Sequence, residues 1–239
     1  MDRMWNHHPM PSGSVMTKWR SGGRPSRFLI TLLFLAVLPI SALTFQHLHK
    51  HPDIGGFDPA QMGLLEARMW KSYYEGRWVR LGWETMRVAC GQYGYSWWDG
   101  ALLSFHAALS AAAFRKNSDD PLCLPELMKY YRIVLRSSPV RFDPAEAARL
   151  ELQWWAEHRR NTPPETYSGT IARLTALLYG ITPAEAGSSA TMRVEAMEYR
   201  DKRRDGQMGD ADWLWVERRL TAAYGDLKER LDRSRGRFR

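Results

Sequence analysis

The sequence predicts an all-α protein: an irregular helical bundle of about seven helices behind one N-terminal transmembrane helix. Three observations predict it. Eighteen successive residues, Phe28 to Phe45 (FLITLLFLAVLPISALTF), carry no charge. Four later segments open with one and the same helix-start device. No stretch shows the alternation and β-branched enrichment of a strand.

The apolar stretch comes first in the chain. Eighteen helical residues reach about 27 Å, close to the roughly 30 Å hydrocarbon core of a bilayer. Its rival reading is a removed signal peptide, because Pro39 would end a helix after Phe28–Leu38 and small residues Ser41, Ala42 and Thr44 follow. Ile40-Ser41-Ala42 and Ala42-Leu43-Thr44 are poor cleavage sites, and a 27-residue leader is long for a signal. A retained anchor over 28–45 is therefore the expectation, with a cleaved, secreted form of the same domain as the rival. The leader 1–27 carries Arg3, Lys18, Arg20, Arg24 and Arg27, whereas Lys50 is the one Lys or Arg in the sixteen residues after Phe45. That asymmetry places the N-terminus in the cytoplasm and the domain on the periplasmic or extracellular side.

Residues 46–57 read as a linker. His47, His49 and His51 could together attract a transition metal. With Lys50 among them and no carboxylate or Cys fixed nearby, a solvated tether is the better reading, so no metal site and no cofactor are expected.

The all-α domain is read as 58–233. Asp58-Pro-Ala-Gln61, Asp143-Pro-Ala-Glu146, Thr162-Pro-Pro-Glu165 and Thr182-Pro-Ala-Glu185 each place a capping side chain before a proline at the first helical position, with Gln or Glu to reach back to the cap. Ser96 with Asp99, Asp120 with Pro121, and Gly209 or Asp210 supply further starts. The helices so predicted are 59–91, 97–116, 121–137, 144–160, 163–179, 183–204 and 210–233, with stops at Gly91, Gly94, Asn117, Gly180 and Gly206. Gly76 and Gly82 are places where the first, long helix could bend. The Ala-rich helix 97–116 allows close approach and is expected near the bundle's centre. Residues 234–239 form a basic tail.

The net charge of +8 suggests nucleic acid only until it is located. The leader and the stretch Asp226–Arg239 hold eleven of the 34 basic and four of the 26 acidic groups. Residues 28–225 keep 23 against 22, and so nearly neutral a body lacks the basic face of a nucleic-acid binder. Cys90 and Cys123 fall on helices separated by another, a distance far beyond disulfide reach, so no bridge between them is expected.

Three sets of candidate site residues emerge. Adjacent tryptophans cannot all face a core, so Trp97, Trp98, Trp154, Trp155, Trp213 and Trp215 are candidates for a contact surface. Glu84, Asp99 and His106 could form an acid–base site, although a histidine in an Ala-rich helix is more often a satisfied core residue. Glu151, Glu157, Arg159 and Arg160 read as exposed pairs on a charged face. The serine-hydrolase elbow, the zinc-protease helix, phosphate-binding glycine loops, Glu-x-x-His and Cys-x-x-Cys are all missing. The expectation is a membrane-anchored envelope protein that acts through a protein partner, held to the bilayer by 28–45 and binding no nucleic acid. The alternative is a helical enzyme acting on an envelope polymer or lipid.

Overall fold

The computed structural model describes residues 51–118, 121–203 and 208–236, and they belong to one compact unit. Its helices are α1 (Pro59–Tyr74), α2 (Trp78–Arg87), α3 (Trp97–Lys116), α4 (Cys123–Val134), α5 (Pro144–Arg159), α6 (Pro164–Tyr179), α7 (Pro183–Asp201) and α8 (Asp210–Gly236). A π-helical turn, Val88–Gln92, extends α2. No strand occurs among the described residues. The expected leader, the 28–45 span, His47 and His49 lie outside them. Among the described residues no helix is long and apolar enough to cross a membrane.

Local chemistry explains most boundaries. Asp58 accepts from the Gln61 N–H at 2.8 Å and Asp143 from the Ala145 N–H at 2.9 Å. Thr182 and Glu185 form a full capping box, and Ser96 caps Asp99 at 3.1 Å. The device at Thr162 works differently. Its hydroxyl donates to Glu157 O at 3.0 Å and so closes α5, while Pro163 stands as the uncapped start of α6.

The predicted helix 59–91 is two helices. Gly76 adopts φ +70°, a left-handed conformation that ends α1, and the chain restarts at Trp78. A bend was expected there; the positive φ makes it a break, which is why the described residues form eight helices and not seven.

Each helix packs on its neighbour in sequence, and α8 packs on α1, so the eight close into a ring. Contacts at the helix ends show the alternating direction. Arg159 at the end of α5 donates to Phe114 O of α3 at 2.7 Å, and His158 meets Asp201 of α7 at 2.7 Å. Arg200 of α7 lies 3.2 Å over the Tyr74 ring of α1, and Arg115 of α3 lies 6.0 Å over Tyr73. Helices α1, α3, α5 and α7 thus end at one rim.

The other four end around residues 52–57. The Asp53 N–H donates to Tyr93 O at 2.9 Å and the Ile54 N–H to Ser137 O at 3.3 Å. Ser138 Oγ donates to Leu178 O at 2.7 Å, and Lys228 Nζ to Gly55 O at 3.3 Å. Residues 52–57, read from sequence as linker, are therefore packed into the far end of the ring, with Ile54 and Phe57 buried.

The core follows the ring. Among the described residues it divides into five clusters, including Leu103–Leu127–Val134–Leu150 across α3 to α5, Ile171–Ala190–Val194 between α6 and α7, and Ala67–Ala196–Val216–Leu220 where α1, α7 and α8 meet. Helix α3 is one stave of this ring and not its centre. Its small residues Ala107, Ala108 and Ala111 face the middle, which no helix of the described residues fills.

Candidate functional site

The middle of the ring is a cavity of about 810 Å3, lined by side chains from all eight helices. Its wall is aromatic and polar-tipped: Trp70, Trp154 and Trp155 with Tyr93, Tyr130, Tyr131, Tyr179 and Tyr224. Such side chains project long rings inward while their N–H and O–H groups seek partners, so they do not interdigitate into a dry core as Leu and Ile do. At one end Ile54, on the packed loop, forms the floor. At the other, His158, Arg159, Arg200 and Asp201 line the rim.

Two carboxylates enter this space. Glu66 of α1 is buried, and its Oε1 accepts from Arg193 Nε and Nη2 of α7 at 2.9 and 2.5 Å. Its Oε2 accepts from the Tyr224 hydroxyl of α8 at 2.6 Å. Glu151 of α5 accepts from the Tyr131 hydroxyl of α4 at 2.8 Å and from Trp155 Nε1 at 2.9 Å. Five of the eight helices thus contribute to two hydrogen-bonded groups.

Arg193 is the cation among them. Burial works against its charge, but Glu66 most of all, with Tyr224 and Glu151, more than offsets this and raises its pKa above the ordinary arginine value. Its guanidinium lies 5.8 Å from the Trp154 ring. Nη1 makes no hydrogen bond among the described residues. Burial also raises the pKa values of Tyr93, Tyr130, Tyr131, Tyr179 and Tyr224 well above the usual phenol range.

Arg200 Nε at the rim is buried without a partner among the described residues, and so are two polar atoms on the wall, Ser104 Oγ of α3 and Trp154 Nε1 of α5. Buried donors are nearly always satisfied in folded proteins. These two, with Arg193 Nη1, are polar groups that a bound molecule could satisfy.

The sequence-predicted residues are distributed differently. Glu84 lies between Arg80 and Arg87 on α2, Asp99 meets Arg136 at 2.9 Å, and His106 meets Glu126 at 2.7 Å. Each of the three thus has its own polar partner, and none lines the cavity. Of the tryptophans, Trp154 and Trp155 line the cavity, while Trp97, Trp98 and Trp215 are exposed. Trp215 stacks on Tyr199 with ring centroids 3.9 Å apart, and Trp213 is half-buried against α1 and α7. His51 is exposed, and no group of three potential ligands capable of holding a metal occurs among the described residues. Cys90 Sγ donates to Ser96 O and Cys123 Sγ to Ser110 O, positions about 20 Å apart along α3. Glu151, read as part of an exposed charged face, instead turns inward to Tyr131 and Trp155.

Glu66 and Arg193 were the residues most easily overlooked, yet each carried a signal. Glu66 falls on the apolar stripe Met62–Leu65–Met69, and Arg193 sits among Ala190, Val194 and Met197. A charge on the core face of an amphipathic helix needs a partner inside.

No family model, characterised protein or solved structure matches this chain.

Proposed function

We propose that the helical ring is a ligand-binding module, and that its ligand has an apolar or aromatic body and a head that accepts hydrogen bonds. The observation that carries this reading is the central cavity, about 810 Å3 in volume, whose aromatic wall holds Arg193 Nη1, Ser104 Oγ and Trp154 Nε1 as donors without acceptors among the described residues. A cavity of that size with apolar walls and few convergent polar groups is what small-molecule sites look like. The enzyme alternative has less support, because both oxygens of Glu66 and of Glu151 already accept hydrogen bonds from the protein.

Binding is tested by titrating the full chain with an anionic aromatic probe, anilinonaphthalene sulfonate, and following fluorescence and melting temperature. Ala108→Phe fills the cavity while leaving every polar group in place. It is expected to weaken saturable probe binding by about tenfold or more, about 1.4 kcal/mol, without lowering the melting temperature. Equal binding by the variant would place the probe elsewhere and remove the support for this reading.

A second reading, protein contact in the cell envelope, draws on a different surface. Leu214 and Trp215 are exposed on α8, beside a groove between α6 and α7 lined by Gly169, Ala172, Gly187 and Thr191. A photo-reactive residue at position 215 in the full chain, expressed in its own membranes, would capture one reproducible partner if this reading holds.

A further inference from the structure

The outer face of α2 and α3 is apolar where a ring of this kind should meet water. On α3, Trp98, Ala101, Phe105, Leu109 and Ala112 are all exposed and follow one another at three- and four-residue steps, a single stripe of nearly four turns. Trp97, beside it, and Trp83 of α2 are also exposed, with ring centroids 6.1 Å apart. Val79, one turn before Trp83, is 91% exposed. Helix α3 is apolar on two opposite sides: its inner side faces the cavity, and its outer stripe is left exposed by the described residues.

The charges bordering this stripe are arranged in one sense. On α2, Glu84 keeps 5% of its side-chain surface while its partner Arg80 keeps 51%. On the α4 side, Asp99 keeps 12% against 52% for Arg136, and Glu126 keeps 9% against 50% for Lys129. Each carboxylate is sunk between helices and each cation stands outside. Elsewhere the order is mixed: Arg230–Asp226 and Arg203–Asp212 share it, whereas in Asp143–Arg149 and Glu229–Arg233 both partners are exposed and in Lys228–Asp232 the acid is the more exposed. The face is therefore tryptophan-rich, apolar along its middle and cationic at both margins.

We propose that this face docks on an anionic bilayer surface. Tryptophan rings partition to the boundary between headgroups and acyl chains, and arginine and lysine at the same depth pair with lipid phosphate. The chain's entry point agrees. Pro52 packs beside Gly94, and the Asp53 N–H is bonded to Tyr93 O, three and four residues before Trp97. The described chain begins at residue 51, six positions after the uncharged stretch 28–45 of the sequence, at the end where Trp97 and Trp98 stand. This inference concerns the outside of the ring and does not depend on the cavity binding a ligand.

The test uses the full chain reconstituted in phosphatidylcholine–phosphatidylglycerol vesicles with bromine on the acyl chains, which quenches tryptophan at acyl depth. Wild type is compared with the W83F/W97F/W98F variant, in which the rings stay apolar; matching circular dichroism and melting temperature establish that it folds. The expected result is that the variant loses about half or more of the quenching, and that wild-type quenching drops in vesicles of phosphatidylcholine alone. Equal quenching in the two proteins would overturn the proposal. So would a dimer, seen by sedimentation, that the same three substitutions dissociate, since a second copy of the chain would then cover the face.

Discussion

Arg193 and Glu66 meet across 127 positions of sequence, and each leaves the other exposed to a different penalty when one is removed. Glu66→Gln strands a guanidinium beside an amide inside the ring. Arg193→Met leaves a buried carboxylate with the Tyr224 hydroxyl as its remaining donor. Loss of one partner of an enclosed ion pair costs about 3–5 kcal/mol, and the opening of Arg193 toward the cavity moves the expected cost for each single variant to the lower end, about 3 kcal/mol. The double variant Glu66→Met/Arg193→Met removes both charges at similar volume, so it should be less destabilised than the sum of the singles by at least about 2 kcal/mol. Urea denaturation of the four proteins measures this. Additive losses would mean that the two groups do not act as a pair. Neither residue's role was legible from its neighbours alone. A charge on an apolar stripe announces that a partner exists, but only the closing of α8 onto α1 and α7 decides which partner it is.

At the scale of elements, the sequence was most legible where the chemistry is local. Asp58, Ser96, Asp143 and Thr182 cap the helices they were expected to cap, because a cap needs only the three residues that follow it. Thr162 was misassigned for the same kind of reason: its hydroxyl could serve the helix ahead or the one behind, and the backward bond to Glu157 O won. The break at Gly76 depends on a backbone conformation that a glycine permits but does not compel. The tightest joint between elements was not legible at all. An added Cβ at Gly63 of α1 would lie 2.5 Å from the Thr221 backbone nitrogen of α8. Backbone cannot move aside as a side chain does, so Gly63→Ala must push α1 from α8 at the seam that closes the ring. A destabilisation of about 1–3 kcal/mol is expected, read as a lowered melting temperature. By contrast Gly82→Ala, which has open space at its Cβ position, should be neutral or slightly stabilising in its helix. Equal effects at the two positions would show that α1 and α8 do not approach so closely.

For the molecule as a whole, the class of fold was legible and the hole in it was not. Helical periodicity reports which face of each helix is turned inward, not whether the inward faces touch. Tyr93, Tyr130, Tyr131, Tyr179 and Tyr224 come from four separate parts of the chain, and only ring closure makes them one wall. That shared wall has a consequence for alkaline pH. Burial is the first cause of the raised pKa in all five, followed by neighbouring phenols and the Glu66 and Glu151 carboxylates. In the unfolded chain these phenols titrate near about 10. The folded state therefore holds its phenolic protons to higher pH than the unfolded one, so the stabilisation is whole below about pH 10 and is lost as pH rises above it. Each phenol that stays protonated only while folded steepens the loss by up to about 1.4 kcal/mol per pH unit. Phenolate absorbance and helical circular dichroism, followed together through an alkaline titration, should show these five tyrosines, with Tyr95 and Tyr167, whose pKa values burial also raises, still protonated while the helices are intact. These tyrosines should then ionise in one cooperative step with the loss of helix. Smooth ionisation of all ten tyrosines in a protein that keeps its helices would mean that the wall is open to water along its length.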